Sequence, residues 1–193
     1  MGRVVSGRLV PGMEVCMSNY RKLIIKDIEM HKNCYTYEAL AGDYASFTVV
    51  NNENSQMFHE PLIHRDTKKK RFVISDASNN PAKTAQRFIG QIMLLDFPGQ
   101  IKVGFNAVID CHISTTGCRF SRILAKIDKK TGKVIKRNPD YIEAYDGALV
   151  EIEPLAPMIV EAYSELAAMG RFVIRDWRQT VGVGIVKQVT KNP

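Results

Sequence analysis

No apolar run in this chain approaches the ~20 consecutive residues that a membrane-spanning helix requires, so neither a transmembrane helix nor a membrane partner is expected. The four cysteines, Cys16, Cys34, Cys111 and Cys118, form no CxxC pair and lack the spacing of a zinc site. No metal centre is expected from them, and they read as reduced core thiols of a cytosolic protein, although Cys111 and Cys118 flank a turn signal and could face each other. Met1-Gly2-Arg3 leads into a strand pattern rather than an apolar leader helix, which gives a cytoplasmic protein as the expectation. The phosphate-cradling pattern GxxxxGK[ST] is missing, and so is a guanine-reading NKxD. Asp96-Phe97-Pro98-Gly99 matches a bare DxxG, which alone senses no nucleotide. The histidines His31, His59, His64 and His112 are scattered, and no serine, histidine and carboxylate set is suggested. No catalytic residues and no cofactor are assigned. Strong helical periodicity is absent as well, which excludes a helical bundle.

What remains is an ordinary globular composition, 45% hydrophobic and 24% charged, with a net charge of +7. The length of 193 residues allows one large domain or two small barrels, each with a core of its own. The positive balance favours acidic partners such as RNA or an acidic filament surface.

Period-2 alternation dominates the chain. In 104–113, Phe105, Ala107, Ile109, Cys111 and Ile113 fall on alternate positions, a strand with one greasy face. Ser114-Thr115-Thr116-Gly117 is the expected turn of a hairpin whose second strand opens at Cys118. Strands are also expected at 4–6, 13–17, 23–30, 44–50 and 72–75. Later ones are expected at 88–95, 148–154, 158–163, 171–175 and 180–189. Gly182 and Gly184 within the last of these mark a bend or a close backbone approach. Short strands at this spacing predict an all-β chain of two antiparallel β-barrels in tandem. Asp76-Ala77-Ser78-Asn79-Asn80-Pro81 is polar and linker-like, so the domains are drawn as 1–81 and 82–193.

Two cationic stretches stand out. Segment 51–71 breaks the strand pattern and ends in Lys68-Lys69-Lys70-Arg71, either a solvated loop tip or a contact to RNA or an acidic protein. The densest patch is Lys126, Lys129, Lys130, Lys133, Lys136 and Arg137, around the turn Asp128-Lys129-Lys130-Thr131-Gly132-Lys133. Gly132 supplies positive φ cheaply there.

Three stretches carry a family resemblance. FPGQIKVGFNAVIDCH at 97–112 resembles the third domain of the eukaryotic and archaeal elongation factor 1-alpha family, and MGRFVIRDWRQTVGVGIVK at 169–187 resembles its closing strands. GRVVSGRLVPGM at 2–13 is similar to the early strands of the family's second domain. The resemblance implies two RNA-binding barrels without the family's GTPase domain. Aminoacyl-tRNA and the nucleotide exchange factor are the implied partners, with the ribosome beyond them. The runner-up reading it implies is a structural protein docking on actin filaments or microtubules. By resemblance, Glu29 and Lys32 lie beside the 3′ adenosine of the tRNA, and Arg175 approaches the T-stem backbone, where an arginine can grip phosphate with two hydrogen bonds. The chain departs from the family in four places: the first strand of the second domain is expected to be lacking, 51–71 is an insertion, Tyr44 stands where similar factors place asparagine, and Trp177 stands where the family has a smaller or flexible side chain.

Overall fold

The computed structural model describes residues 1–17, 22–30, 34–51, 72–128, 131–177 and 179–192. The chain divides into two compact units, Met1–Ala82 and Lys83–Pro193. Both are built from antiparallel strands, and the regular helix among the described residues is a single 3-10 turn at Ala167–Met169.

The first unit contains β1 (Gly2–Arg3), β2 (Arg8–Leu9), β3 (Glu14–Met17), β4 (Lys22–Glu29), β5 (Tyr35–Thr36), β6 (Ala39–Leu40), β7 (Tyr44–Asn51) and β8 (Ile74–Asp76). Its main sheet runs β1-β7-β4-β3-β8, with β5 also on β4 and a separate β2–β6 pair. Among the described residues this sheet stays open, a half-barrel curled over Val15, Met17, Leu23, Ile25, Ile28, Ala39 and Ala45. The alternation in β4 slips once, at a register shift between Ile25 and Asp27, so that Leu23, Ile25 and Ile28 all reach the core. The strand expected at 4–6 is corrected. Pairing with β7 stops at Arg3, and the Val4 N–H donates instead to the Asp43 carbonyl at 3.0 Å. After β8, Asp76 Oδ1 accepts from the Ser78 N–H at 2.9 Å and from its hydroxyl at 2.6 Å, turning the chain out of the sheet.

The second unit contains β9 (Ala85–Leu94), β10 (Ile101–Lys102), β11 (Asn106–Cys111), β12 (Ser114–Ile127), β13 (Val134–Arg137), β14 (Tyr141–Ile142), β15 (Gly147–Pro154), β16 (Arg171–Asp176) and β17 (Gln179–Lys191). Strands β11-β16-β17-β9-β15-β12 follow one another, and the β11–β12 pairing closes them into a six-stranded barrel. Closure removes the exposed ladder edges that an open sheet must otherwise protect. Inward residues alternate around the ring, among them Phe88, Ile92, Ile109, Phe120, Ile152, Phe172, Ile174 and Val186. Each large side chain buried this way contributes roughly 1.5–3 kcal/mol. Phe172 is seated over glycines on β17 and on β9, the next two strands of the ring. A Cβ on Gly184 would lie 2.5 Å from its ring and one on Gly90 2.7 Å away, which is the close approach expected of Gly184.

Two strand expectations are corrected here. The hairpin turns at His112 and Ile113, because Cys111 pairs with Ser114 and Gly117 pairs with Val108 inside the ladder. His112 is therefore an exposed turn residue with φ 52° rather than a strand residue. Segment 158–163 is not a strand. Met158, Ile159 and Val160 are buried in succession, so the backbone lies between layers rather than along a two-faced sheet. Its hydrogen bonds go elsewhere: the Ala85 N–H donates to the Met158 carbonyl at 2.8 Å, and the Glu161 N–H to the Met169 carbonyl at 3.1 Å.

Candidate functional site

The basic patch of the second unit lies on β12 and β13. Lys126 stands opposite Lys136 in register. Like charges placed this way repel, and the structure offsets the repulsion by giving each its own carboxylate. Lys126 Nζ is 2.7 Å from Asp146 Oδ2, and Lys136 Nζ is 3.8 Å from Asp140 Oδ2. The intervening turn closes where the Asp128 N–H donates to the Lys133 carbonyl at 2.9 Å and the Thr131 hydroxyl donates to Asp128 Oδ2 at 2.7 Å. Gly132 takes φ 68° there, as its position demands. Among the described residues strand β13 pairs only with β12, outside the closed ring, and all four of its residues are exposed. Arg137 is exposed for that reason although its register partner Ala125 is buried. Lys133 and Arg137 carry no ion pair among the described residues, so they are the cations of the patch with charge to offer. Lys129 and Lys130 lie outside the described residues, as does the run at 68–71.

Arg175 lies on β16 opposite Val108 of β11. Its Nη1 donates to Asp110 Oδ2 at 2.9 Å, with side-chain exposures of 41% and 28%. The other carboxylate oxygen, Asp110 Oδ1, is buried and without a hydrogen-bond partner among the described residues. A guanidinium has five N–H donors, so this pair leaves several for a phosphate.

Glu29 ends β4, half-buried, opposite Ser46 of β7 on one side and Tyr35 of β5 on the other. Lys32, expected beside it, lies outside the described residues. Sequence reasoning missed what surrounds Glu29. Tyr35 and Tyr44 are exposed, and the Arg3 guanidinium lies 5.8 Å from the centroid of the Tyr44 ring. The signal was available as three tyrosines, Tyr35, Tyr37 and Tyr44, within ten residues. Trp177 is 91% exposed with φ 52°, at the turn between β16 and β17.

Residues 87–187 match the family described as GTP-eEF1A C-terminal domain-like. The chain belongs to that family. Across 99% of its length this elongation factor 1-alpha-like chain is 40% identical to elongation factor 1-alpha of Plasmodium falciparum (isolate K1 / Thailand), covering 41% of that protein. It is 38% identical, again across 99% of its length, to elongation factor 1-alpha of Stylonychia lemnae, covering 40% of it. The elongation factor 1-alpha-like chain thus spans about two fifths of the length of these relatives. In three dimensions it is similar to Sup35 complexed with GDP, with a TM-score of 0.82 over 98% of this chain and 43% of that one. Identity in that comparison is 23%, so it shows the shared all-β fold. The elongation factor 1-alpha-like chain is accordingly a translation-factor-like module that matches the family's C-terminal domains.

Proposed function

We propose that this module binds aminoacyl-tRNA and the nucleotide exchange factor in the cytoplasm, reaching the ribosome with them, and hydrolyses no GTP within this chain. The observation that carries the reading is the continuous match to elongation factor 1-alpha along 99% of the chain. The geometry supports it with cations that can meet a phosphate backbone. Lys133, in the turn before β13, and Arg137, on that exposed edge strand, carry no ion pairs among the described residues, and Arg175 is held against Asp110 with donors to spare. Glu29 and Lys32 are assigned to the 3′ end of the tRNA. The absence of GxxxxGK[ST] from the sequence supports the lack of hydrolysis.

Filter binding of tRNA across a salt series tests this. Phosphate contacts release counterions, so the logarithm of the association constant should fall linearly with the logarithm of salt concentration. Lys133→Ala and Arg137→Ala should each lessen that slope by about one. No tRNA binding at low salt, or GTP turnover by the purified chain, would refute the reading.

A further inference from the structure

Strand β13 has an edge that the closed ring does not use. On one side of it the Lys133 carbonyl accepts from the Asp128 N–H at 2.9 Å, and on the other the Asn138 N–H donates to the Leu124 carbonyl at 3.0 Å, so the residues flanking the strand turn these groups toward β12. Backbone groups of successive strand residues alternate in direction, which points the N–H and C=O of Val134 and Arg137 away from β12. A regular strand repeats such outward groups at every second residue, whereas these two lie three positions apart. The bulge absorbs the extra residue. Across the register shift, Val134 stands opposite Ile127 and Arg137 opposite Ala125, two positions apart on β12. The outward groups of Val134 and Arg137 are therefore about 6–7 Å apart, the spacing of a regular ladder. No strand pairs with this edge among the described residues.

The side chains select what can pair there. Val134 and Ile135 are 49% and 63% exposed, with Lys133, Lys136 and Arg137 exposed around them. RNA has no main-chain ladder to offer the outward N–H and C=O groups and leaves the aliphatic pair uncovered. A second copy of the chain would set lysines and arginines against their own kind, and like charges opposite one another destabilise a ladder. An extended peptide with carboxylates at alternate positions answers the free backbone groups, the aliphatic side chains and the positive charge together.

We propose that β13 is a docking edge for an acidic, extended segment of a protein partner. The segment adds to the sheet as a strand, its main chain bonded to Val134 and Arg137, its carboxylates set against Lys133, Lys136 and Arg137, and an aliphatic side chain against Val134. This goes beyond RNA binding and does not depend on it.

Fluorescence anisotropy with the full chain tests this, using a labelled nonapeptide that alternates glutamate and valine. The peptide should bind, and methylation of its backbone nitrogens should weaken it roughly tenfold or more, because the added strand is held through its amides. The same peptide with lysine in place of glutamate should not bind. Val134→Pro removes the outward N–H and leaves the bonds to β12 in place, so it should weaken the acidic peptide severalfold. Ile135→Asp changes only an exposed side chain, sets a like charge beside the carboxylates and should weaken it as well. No binding of the acidic peptide overturns the proposal, as does equal binding of the methylated or the lysine form, since charge or greasiness alone would then account for it. Full binding by Ile135→Asp places the peptide elsewhere and also overturns it. None of these readouts uses RNA, so failure of the tRNA reading leaves this one standing, and the reverse holds.

Discussion

The pair formed by Arg175 and Asp110 allows stability and binding to be separated, because removal of either partner should weaken the fold while moving RNA affinity in opposite directions. Arg175→Ala deletes a charge-assisted hydrogen bond of 2.9 Å and strands a carboxylate whose other oxygen is already buried without a partner among the described residues. Exposed ion pairs contribute ~0–1 kcal/mol, and hydrogen bonds to charged groups ~1.5–3 kcal/mol. With exposures of 41% and 28% this pair falls between those limits, so the expected loss is about 1–2 kcal/mol, a fall in Tm of roughly 4–8 °C for each kcal/mol in a unit of this size. Asp110→Asn keeps the shape, removes the charge and should cost less. In filter binding at low salt, Arg175→Ala should weaken tRNA affinity several-fold. Asp110→Asn should strengthen it, because the carboxylate competes with phosphate for the guanidinium and repels the RNA. The double variant should bind like Arg175→Ala, since no guanidinium remains to be released. If Arg175→Ala leaves affinity unchanged and Asp110→Asn does not raise it, Arg175 staples β16 to β11 and plays no part in RNA contact.

Three further outcomes follow from what the fold buries and exposes. Only Cys34 is exposed among the four thiols, so a disulfide-exchange reagent should modify one equivalent promptly in the native protein; two or more would mean that the first sheet around Cys16 or the ring around Cys111 and Cys118 opens readily. Burial pushes the Cys111 thiol up to about 11, and burial together with the neighbouring Cys111 pushes Cys118 up to about 12, from an ordinary value of 9.0. The folded chain therefore keeps protons that the unfolded chain releases above pH 9, and the stability these thiols confer is complete below that value and lost as pH rises through 11 and 12. Alkaline denaturant titrations that show no decline beyond pH 9 would contradict this. Gly184→Ala places a Cβ 2.5 Å from the Phe172 ring and 3.0 Å from the Gln91 carbonyl oxygen, which should cost ~1–3 kcal/mol. Adding Phe172→Leu should recover part of that loss, and strict additivity of the two costs would show that they do not act on one contact.

What the sequence disclosed and what it hid divide along the distance over which the information acts. The face of β11 could be read from Ala107, Ile109 and Cys111, because period-2 burial is written into adjacent residues. The site of its turn could not. Thr115-Thr116-Gly117 has turn chemistry yet pairs inside the ladder, whereas His112 adopts φ 52° without any glycine or asparagine to announce it. At 158–163 the apolar letters fit a strand, but burial of Met158, Ile159 and Val160 in succession depends on what packs above and below, which no local pattern encodes. The candidate site shows the same limit more sharply. Six cations between Lys126 and Arg137 look equivalent in the sequence, and only the fold reveals that Asp146, 20 residues from Lys126, already neutralises one of them while β13 and the turn before it hold Arg137 and Lys133 exposed outside the ring. Arg175 meets Asp110 from 65 positions away. A family resemblance can nominate such residues, yet the charge each has left to give a phosphate is set by the carboxylates that the fold brings beside it. For that reason the opposite responses expected of Arg175→Ala and Asp110→Asn probe more than a single contact: they ask whether the barrel holds its arginine in reserve for RNA or spends it on itself.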